Sequence, residues 1–81
     1  MKFRRKSVAV DAIQWTGKNG RDLRAFLRGA GFVEDGGEFE VDILGGAVIG
    51  SIGDWIIKDV NGEFYPCRPD VFEKTYEKVE E

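Results

Sequence analysis

Phe39-Glu40-Val41-Asp42-Ile43-Leu44-Gly45-Gly46-Ala47-Val48-Ile49-Gly50-Ser51-Ile52 is the stretch whose reading decides the fold. Apolar and charged residues alternate up to a Gly-Gly pair, and an apolar run follows. A strand alternates its side chains between two faces, and Gly-Gly tolerates the positive φ values of a two-residue hairpin turn. A turn at Gly45-Gly46 sets Leu44 opposite Ala47, Ile43 opposite Val48, Val41 opposite Gly50 and Phe39 opposite Ile52. The last three pairs fall on one face, with Glu40 and Asp42 on the other, so the pattern predicts a half-buried antiparallel hairpin. Gly50 leaves room on that face for a neighbouring group.

Residues 54–67 predict a second hairpin. Asn61-Gly62 is a strong two-residue turn signal. It sets Val60 opposite Glu63, Lys58 opposite Tyr65, Ile56 opposite Cys67 and Trp55 opposite Arg68. That register predicts a Lys58–Glu63 diagonal ion pair and a Trp55–Arg68 cation–π contact. Gly53-Asp54 forms the turn between the hairpins.

Upstream, residues 7–15 predict a first strand, with Val8, Val10 and Ala12 on one face and Ile13 and Trp15 on the other. Residues 16–20 form a polar loop. A helix is expected over about residues 20–30, because Leu23, Phe26, Leu27 and Ala30 make one apolar stripe. Asn19 is placed as its N-cap, Asp22 favours its positive end, and Gly29 and Gly31 mark its exit. Arg21, Arg24 and Arg28 form a basic row on its exposed side. Downstream, Arg68 is held extended before Pro69, residues 69–73 make a short helical turn, and residues 75–79 alternate like a last strand. The fold expected is α+β. It has a bent antiparallel sheet of about five strands, mostly two hairpins and barrel-like in its curl, with one amphipathic helix packed on it.

Eighty-one residues suit one domain, 1–81. No apolar run nears the ~20 residues of a membrane span. The basic start, Met1 to Lys6, is followed by no apolar signal core, and the lone Cys67 cannot form an internal disulfide, so a cytosolic chain is expected. With one Cys and no His, Ser-His, Cys-His and zinc sites within one chain are excluded. The glycines match neither a phosphate loop nor a dinucleotide fingerprint. Asp54, Asp59, Glu63 and Asp70 are scattered, so no acid–base pair is evident, and neither an enzyme nor a cofactor is expected.

Charge divides along the chain. Residues 1–28 carry eight basic and two acidic side chains, and residues 29–81 carry four and thirteen. The basic third either attracts phosphates or an acidic partner, or pairs with the acidic remainder within the fold or across an oligomer. The net charge of −3 argues against duplex nucleic acid. So small a domain buries little surface, which favours a homo-oligomer.

Two patches hold candidate ligand groups. In Gln14-Trp15-Thr16, the indole can stack on a base while the amide and hydroxyl read its edges; the alternative is that Trp15 is a core residue capping the sheet. In Tyr65-Pro66-Cys67-Arg68-Pro69-Asp70, Arg68 offers a fork for phosphate or carboxylate; the alternative is a rigid turn with a surface arginine.

Several stretches carry a family resemblance. They are Ala12-Ile13-Gln14-Trp15-Thr16-Gly17, Gly53-Asp54-Trp55-Ile56-Ile57-Lys58, Gly62 to Asp70, and Phe72-Glu73-Lys74-Thr75-Tyr76. Together they resemble the signatures of a family of small phage and prophage proteins, whose members commonly read AIQWTG, GDYIIKG, GEFYPCKPD and FEKTYE. The middle, about residues 29–50, is unmatched. Trp55 stands for the usual Tyr, Arg68 for Lys and Asp59 for Gly.

The resemblance implies a phage protein acting in the cytoplasm of an infected bacterial host. Small oligomeric phage proteins often counter host defence. The leading expectation is therefore a sponge that sequesters, without cleaving, a cyclic nucleotide signal of the CBASS or Thoeris systems. In that reading Trp15 or Trp55 stacks on a base, Gln14 and Thr16 read its edge, Tyr65 joins the site, and Arg68, Lys58 or Arg4 meets phosphate. The alternatives are a protein that binds and inhibits a host protein, or an accessory phage component.

Overall fold

The computed structural model describes residues 10–28, 30–43 and 46–77. Six strands and two helices follow in the order β1 (Asp11–Gln14), α1 (Gly20–Leu27), β2 (Phe32–Asp35), β3 (Glu38–Ile43), β4 (Gly46–Gly50), β5 (Trp55–Lys58), β6 (Phe64–Cys67) and α2 (Pro69–Thr75). The α+β class holds, but the single bent sheet does not. Two three-stranded antiparallel sheets form, ordered β1-β5-β6 and β2-β3-β4, and no barrel closes among the described residues.

The first hairpin pairs β3 with β4, slipped by two residues from the expected register. Phe39 faces Gly50, Val41 faces Val48 and Ile43 faces Gly46. A slip of two preserves which side chain meets which face, so Phe39 and Val41 still point to the core. The space above Gly50 is the reason for the slip: a Cβ there would run into the Phe39 ring. The bare backbone of Gly50 seats the largest side chain of the facing strand. β2, an edge strand the sequence pattern did not reveal, pairs Phe32 with Val41 and Val33 with Glu40.

The second hairpin slips by one residue, with the opposite consequence. Trp55 faces Cys67, Ile57 faces Tyr65 and Lys58 faces Phe64. Asn61 does not adopt positive φ, and Gly62 does, at +81°. A two-residue turn needs both, so the loop is instead three residues long with a left-handed glycine at its end. Asp59 explains the choice. Its Oδ1 accepts N–H bonds from Asn61 (2.8 Å) and Glu63 (3.0 Å), and its backbone closes the loop with Gly62 and Glu63. The two expected contacts go with the register. Among the described residues Lys58 and Glu63 make no ion pair, and Arg68 lies 3.8 Å from the carboxylate of Asp70. Trp55 stacks on Phe72 instead, at 4.0 Å and 5°.

The core lies between the sheets and α1. Trp15, Leu23, Leu27, Phe32, Phe39, Val41 and Ile56 form it, with Phe26 and Ala30 packed alongside. Helix α1 is shorter than expected, ending at Leu27, and Arg28 at φ 53° takes the left-handed position that a glycine was expected to fill. Asn19 does occupy the N-cap position, but its side chain bonds back to the Gln14 carbonyl and to Thr16 rather than to the helix amides. The Glu34 carboxylate stands where a side chain on Gly20 would go, at the positive end of α1.

Beyond β6 the described part of the expected last strand, residues 75–77, forms no strand. Arg68 is extended and Pro69 opens a helix, as their chemistry requires, but the helix continues to Thr75 and Tyr76 is its C-cap. Residues 78 and 79, the end of the expected strand, and residues 7–9 of the first strand lie outside the described residues. No described helix is long and apolar enough to cross a membrane.

Candidate functional site

Helix α2 creates the site. It packs on the face of the β1-β5-β6 sheet that points away from the core. Alternation brings Gln14 from β1, Trp55 and Ile57 from β5, and Tyr65 and Cys67 from β6 to that face. Two rows at i, i+4 spacing leave α2 toward the sheet. Phe72 and Tyr76 form one, and their rings stack on Trp55 in sequence, with the second pair 5.1 Å apart. Val71 and Thr75 form the other and line a groove.

The groove has a volume of about 450 Å³, within the usual range for ligand sites. Its walls are Val10, Ile57, Asp59, Val60, Tyr65, Pro66, Cys67, Val71, Thr75 and Tyr76. Val60, 74% exposed, Tyr65 and Val71 present apolar surface at its opening. Among the described residues the lining holds one carboxylate and no Lys or Arg.

Nearby carboxylates act on two of its lining side chains. The Tyr65 hydroxyl donates to Glu63 Oε1 at 2.5 Å. That bond, with burial and the charges of Asp59 and Glu63, pushes the phenol up to about 12 from its ordinary 10.0. Burial raises the Cys67 thiol, and the charges of Asp70 and Asp54 add to the rise. Burial and nearby carboxylates both favour the protonated phenol and the protonated thiol. Cys67 is therefore a poor nucleophile.

The candidate ligand residues are dispersed. Trp15 is 1% exposed. Phe32 and Phe39 meet it edge-on at 6.0 and 5.9 Å, and its Nε1 donates to the Gly37 carbonyl at 2.9 Å. Its ring is a core element with no face left for a base. Gln14 is half-buried and donates to the Gly53 carbonyl at 2.9 Å. Thr16 is tied to Asn19 through both its N–H and its hydroxyl. Lys58 alternates to the sheet face opposite the groove, in register with Phe64. Arg68 is exposed at the start of α2, beside Asp70. Arg4 lies outside the described residues. Of the candidates, Tyr65 lines the groove, and Trp55 supports it through Phe72. The two patches do not merge: Trp15 is inside the core and Tyr65 is on the far face of the sheet.

The groove residues that sequence reading missed are Val10, Ile57, Asp59, Val60, Val71, Thr75 and Tyr76. The signal was present in Val71, Phe72, Thr75 and Tyr76, whose pairs at i, i+4 are a helical face. Alternation over residues 75–79 competed with it and suggested a strand. Among the described residues no three His, Cys, Asp or Glu side chains gather to hold a metal ion. No protein-family model matches the chain, and comparison with curated proteins and with solved structures finds no match.

Proposed function

We propose that this protein acts without catalysis, by binding another protein, and that the groove between α2 and the β1-β5-β6 sheet receives an apolar segment flanked by lysine or arginine. In the setting that the phage-family resemblance implies, the partner is a host protein met in the bacterial cytoplasm. The observation that carries this reading is the pairing of an apolar lining with nearby carboxylates. Ile57, Val60, Pro66 and Val71 offer burial, while Glu63 and Asp59 raise the neighbouring phenol, and Asp70 and Asp54 add to the rise that burial gives the thiol. A cationic flank complements those carboxylates, and an anionic ligand meets them as repulsion.

Sequestration of a cyclic nucleotide is the second reading. Two features favour it. Tyr76 ends the Trp55–Phe72–Tyr76 stack and lines the groove, where it offers a ring to a base. Arg68, 80% exposed at its side chain, stands at the head of the same helix.

One thermal-shift and fluorescence panel separates the two. It contains apolar peptides flanked by lysine or arginine, the same peptides flanked by glutamate, and cyclic dinucleotides. Ligand at about 100 times its Kd adds about 2.7 kcal/mol. Selective stabilisation by the cationic peptides, lost in Val71→Lys, is expected. Equal response to the glutamate-flanked peptides, or none to any peptide at saturation, overturns the reading. A shift with cyclic dinucleotides alone establishes the second.

A further inference from the structure

The outer face of the β2-β3-β4 sheet plays no part in the groove. Alternation turns Val33 and Asp35 of β2, Glu38, Glu40 and Asp42 of β3, and Ile49 of β4 away from the core. Val33 and Ile49 are 62% and 64% exposed, and the register sets them on either side of Glu40. Two large apolar side chains thus sit within an acidic field.

The inner face of the same sheet carries α1. Leu23 and Leu27 enter the core there, and the Arg24 guanidinium lies 5.2 Å from the centre of the Phe32 ring. Arg21 and Arg28 extend the basic row on the solvent side of α1, and all three arginines, Arg24 included, are exposed. Among the described residues the one ion pair is Arg68–Asp70, so no described side chain forms an ion pair with either surface. A sheet separates them. One molecule cannot bring the two surfaces together, and two copies can.

We infer that the occupant of this face is a second copy of the chain. The Arg21–Arg24–Arg28 row of one copy docks on the acidic outer face of β2-β3-β4 in the next. The arginine stems cover Val33 and Ile49 while their guanidiniums meet Glu40, Asp42 and Asp35. Each copy keeps one unused row and one unused face, so the contact is head-to-tail and adds further copies until a ring closes. Three strands about 4.8 Å apart make a narrow platform. The association is therefore weak and governed by ionic strength rather than by area.

The experiment is sedimentation of the full chain across concentration, at about 0.01 M and about 1 M salt, where the screening length falls from ~30 to ~3 Å. The average mass is expected to climb above 9.1 kDa with concentration at low salt and to return to it at high salt. Arg21→Glu/Arg28→Glu makes both surfaces acidic, and Asp35→Lys/Glu40→Lys/Asp42→Lys makes both basic. Each variant alone is expected to stay monomeric at low salt, and an equimolar mixture to associate. Val33→Lys, a single exposed change, is expected to weaken wild-type association in the same way, and circular dichroism confirms that each variant is folded. A wild-type mass fixed at 9.1 kDa in low salt, association indifferent to salt, or variants that associate alone as wild type does would overturn the inference. So would a mixture that stays monomeric.

Discussion

Trp15 and Trp55 lie on opposite sides of one small sheet and are packed by different rules. Trp15 is sealed. Two phenylalanine rings meet it edge-on, and its N–H is bonded to Gly37. Trp55 is half-buried under the single ring of Phe72, and its buried Nε1 finds no partner among the described residues. The first tryptophan joins two sheets and a helix. The second is held by a seven-residue helix with no buried residue of its own. A fully satisfied aromatic cluster is built for stability, and a half-covered one with an unpaired donor is a place where α2 can shift. The groove sits at the second.

Deleting each cluster's central ring tests that contrast most strongly. Trp15→Ala is expected to cost about 3–5 kcal/mol, close to the whole stability of a domain this small. Phe72→Ala, which strips the stack from Trp55, is expected to cost about 1–2 kcal/mol. Denaturant melts measure both. Hydrogen exchange adds the spatial part: in Phe72→Ala the amides of α2 lose protection while those of β3 keep theirs. Equal costs for the two substitutions would mean that α2 belongs to the core, and the contrast would fail.

The two hairpins form a second pair of regions, and they show what was legible in the sequence. For β3–β4 the apolar alternation was enough to name the strands and their buried face. The exact pairing slipped by two because Phe39 seeks the space over Gly50, and that is a tertiary fit rather than a local signal. For β5–β6 the Asn61-Gly62 signal pointed to a two-residue turn, and the Asp59 side chain overrode it. Nothing in the sequence marks Asp59 as the acceptor for two loop amides. The resulting one-residue shift exchanges faces. It is why Tyr65 meets Ile57 in the groove and Lys58 does not. The strand β2 was illegible because Val33-Glu34-Asp35 lacks an alternating apolar pattern, and its place comes from pairing with β3. Helix α1 was legible from its stripe, and of the two readings of Trp15, ligand residue or core residue, its burial in the core matches the second.

Asp59→Ala sharpens the hairpin contrast with a smaller effect. Losing the acceptor for the Asn61 and Glu63 amides is expected to cost about 1 kcal/mol. The Trp55–Cys67 pairing should persist, because a slip would turn Phe64 away from Phe26 and the core. Cross-strand proton contacts in the variant check this. Contacts of Trp55 with Arg68 in place of Cys67 would show that Asp59 alone sets the register.

The smallest effect is electrostatic and belongs to the groove alone. The folded chain holds the Tyr65 proton up to about pH 12, against 10.0 for the ordinary phenol. Below the ordinary value both states keep the proton, and the bond to Glu63 contributes in full. Between the two values the unfolded chain binds fewer protons than the folded one, so stability falls as pH rises and the contribution is gone above the folded value. A tyrosinate absorbance titration should show a late component that disappears in Tyr65→Phe and moves toward 10.0 in Glu63→Gln. A Glu63→Gln titration identical to wild type would remove the hydrogen bond as the main cause. The same variant bears on function, since removing the Glu63 charge weakens the field at the groove. Binding of a lysine-flanked apolar peptide should then weaken, while any affinity for an anionic nucleotide should rise. Opposite movements of the two affinities tie ligand choice to this field, and parallel movements would assign it to shape.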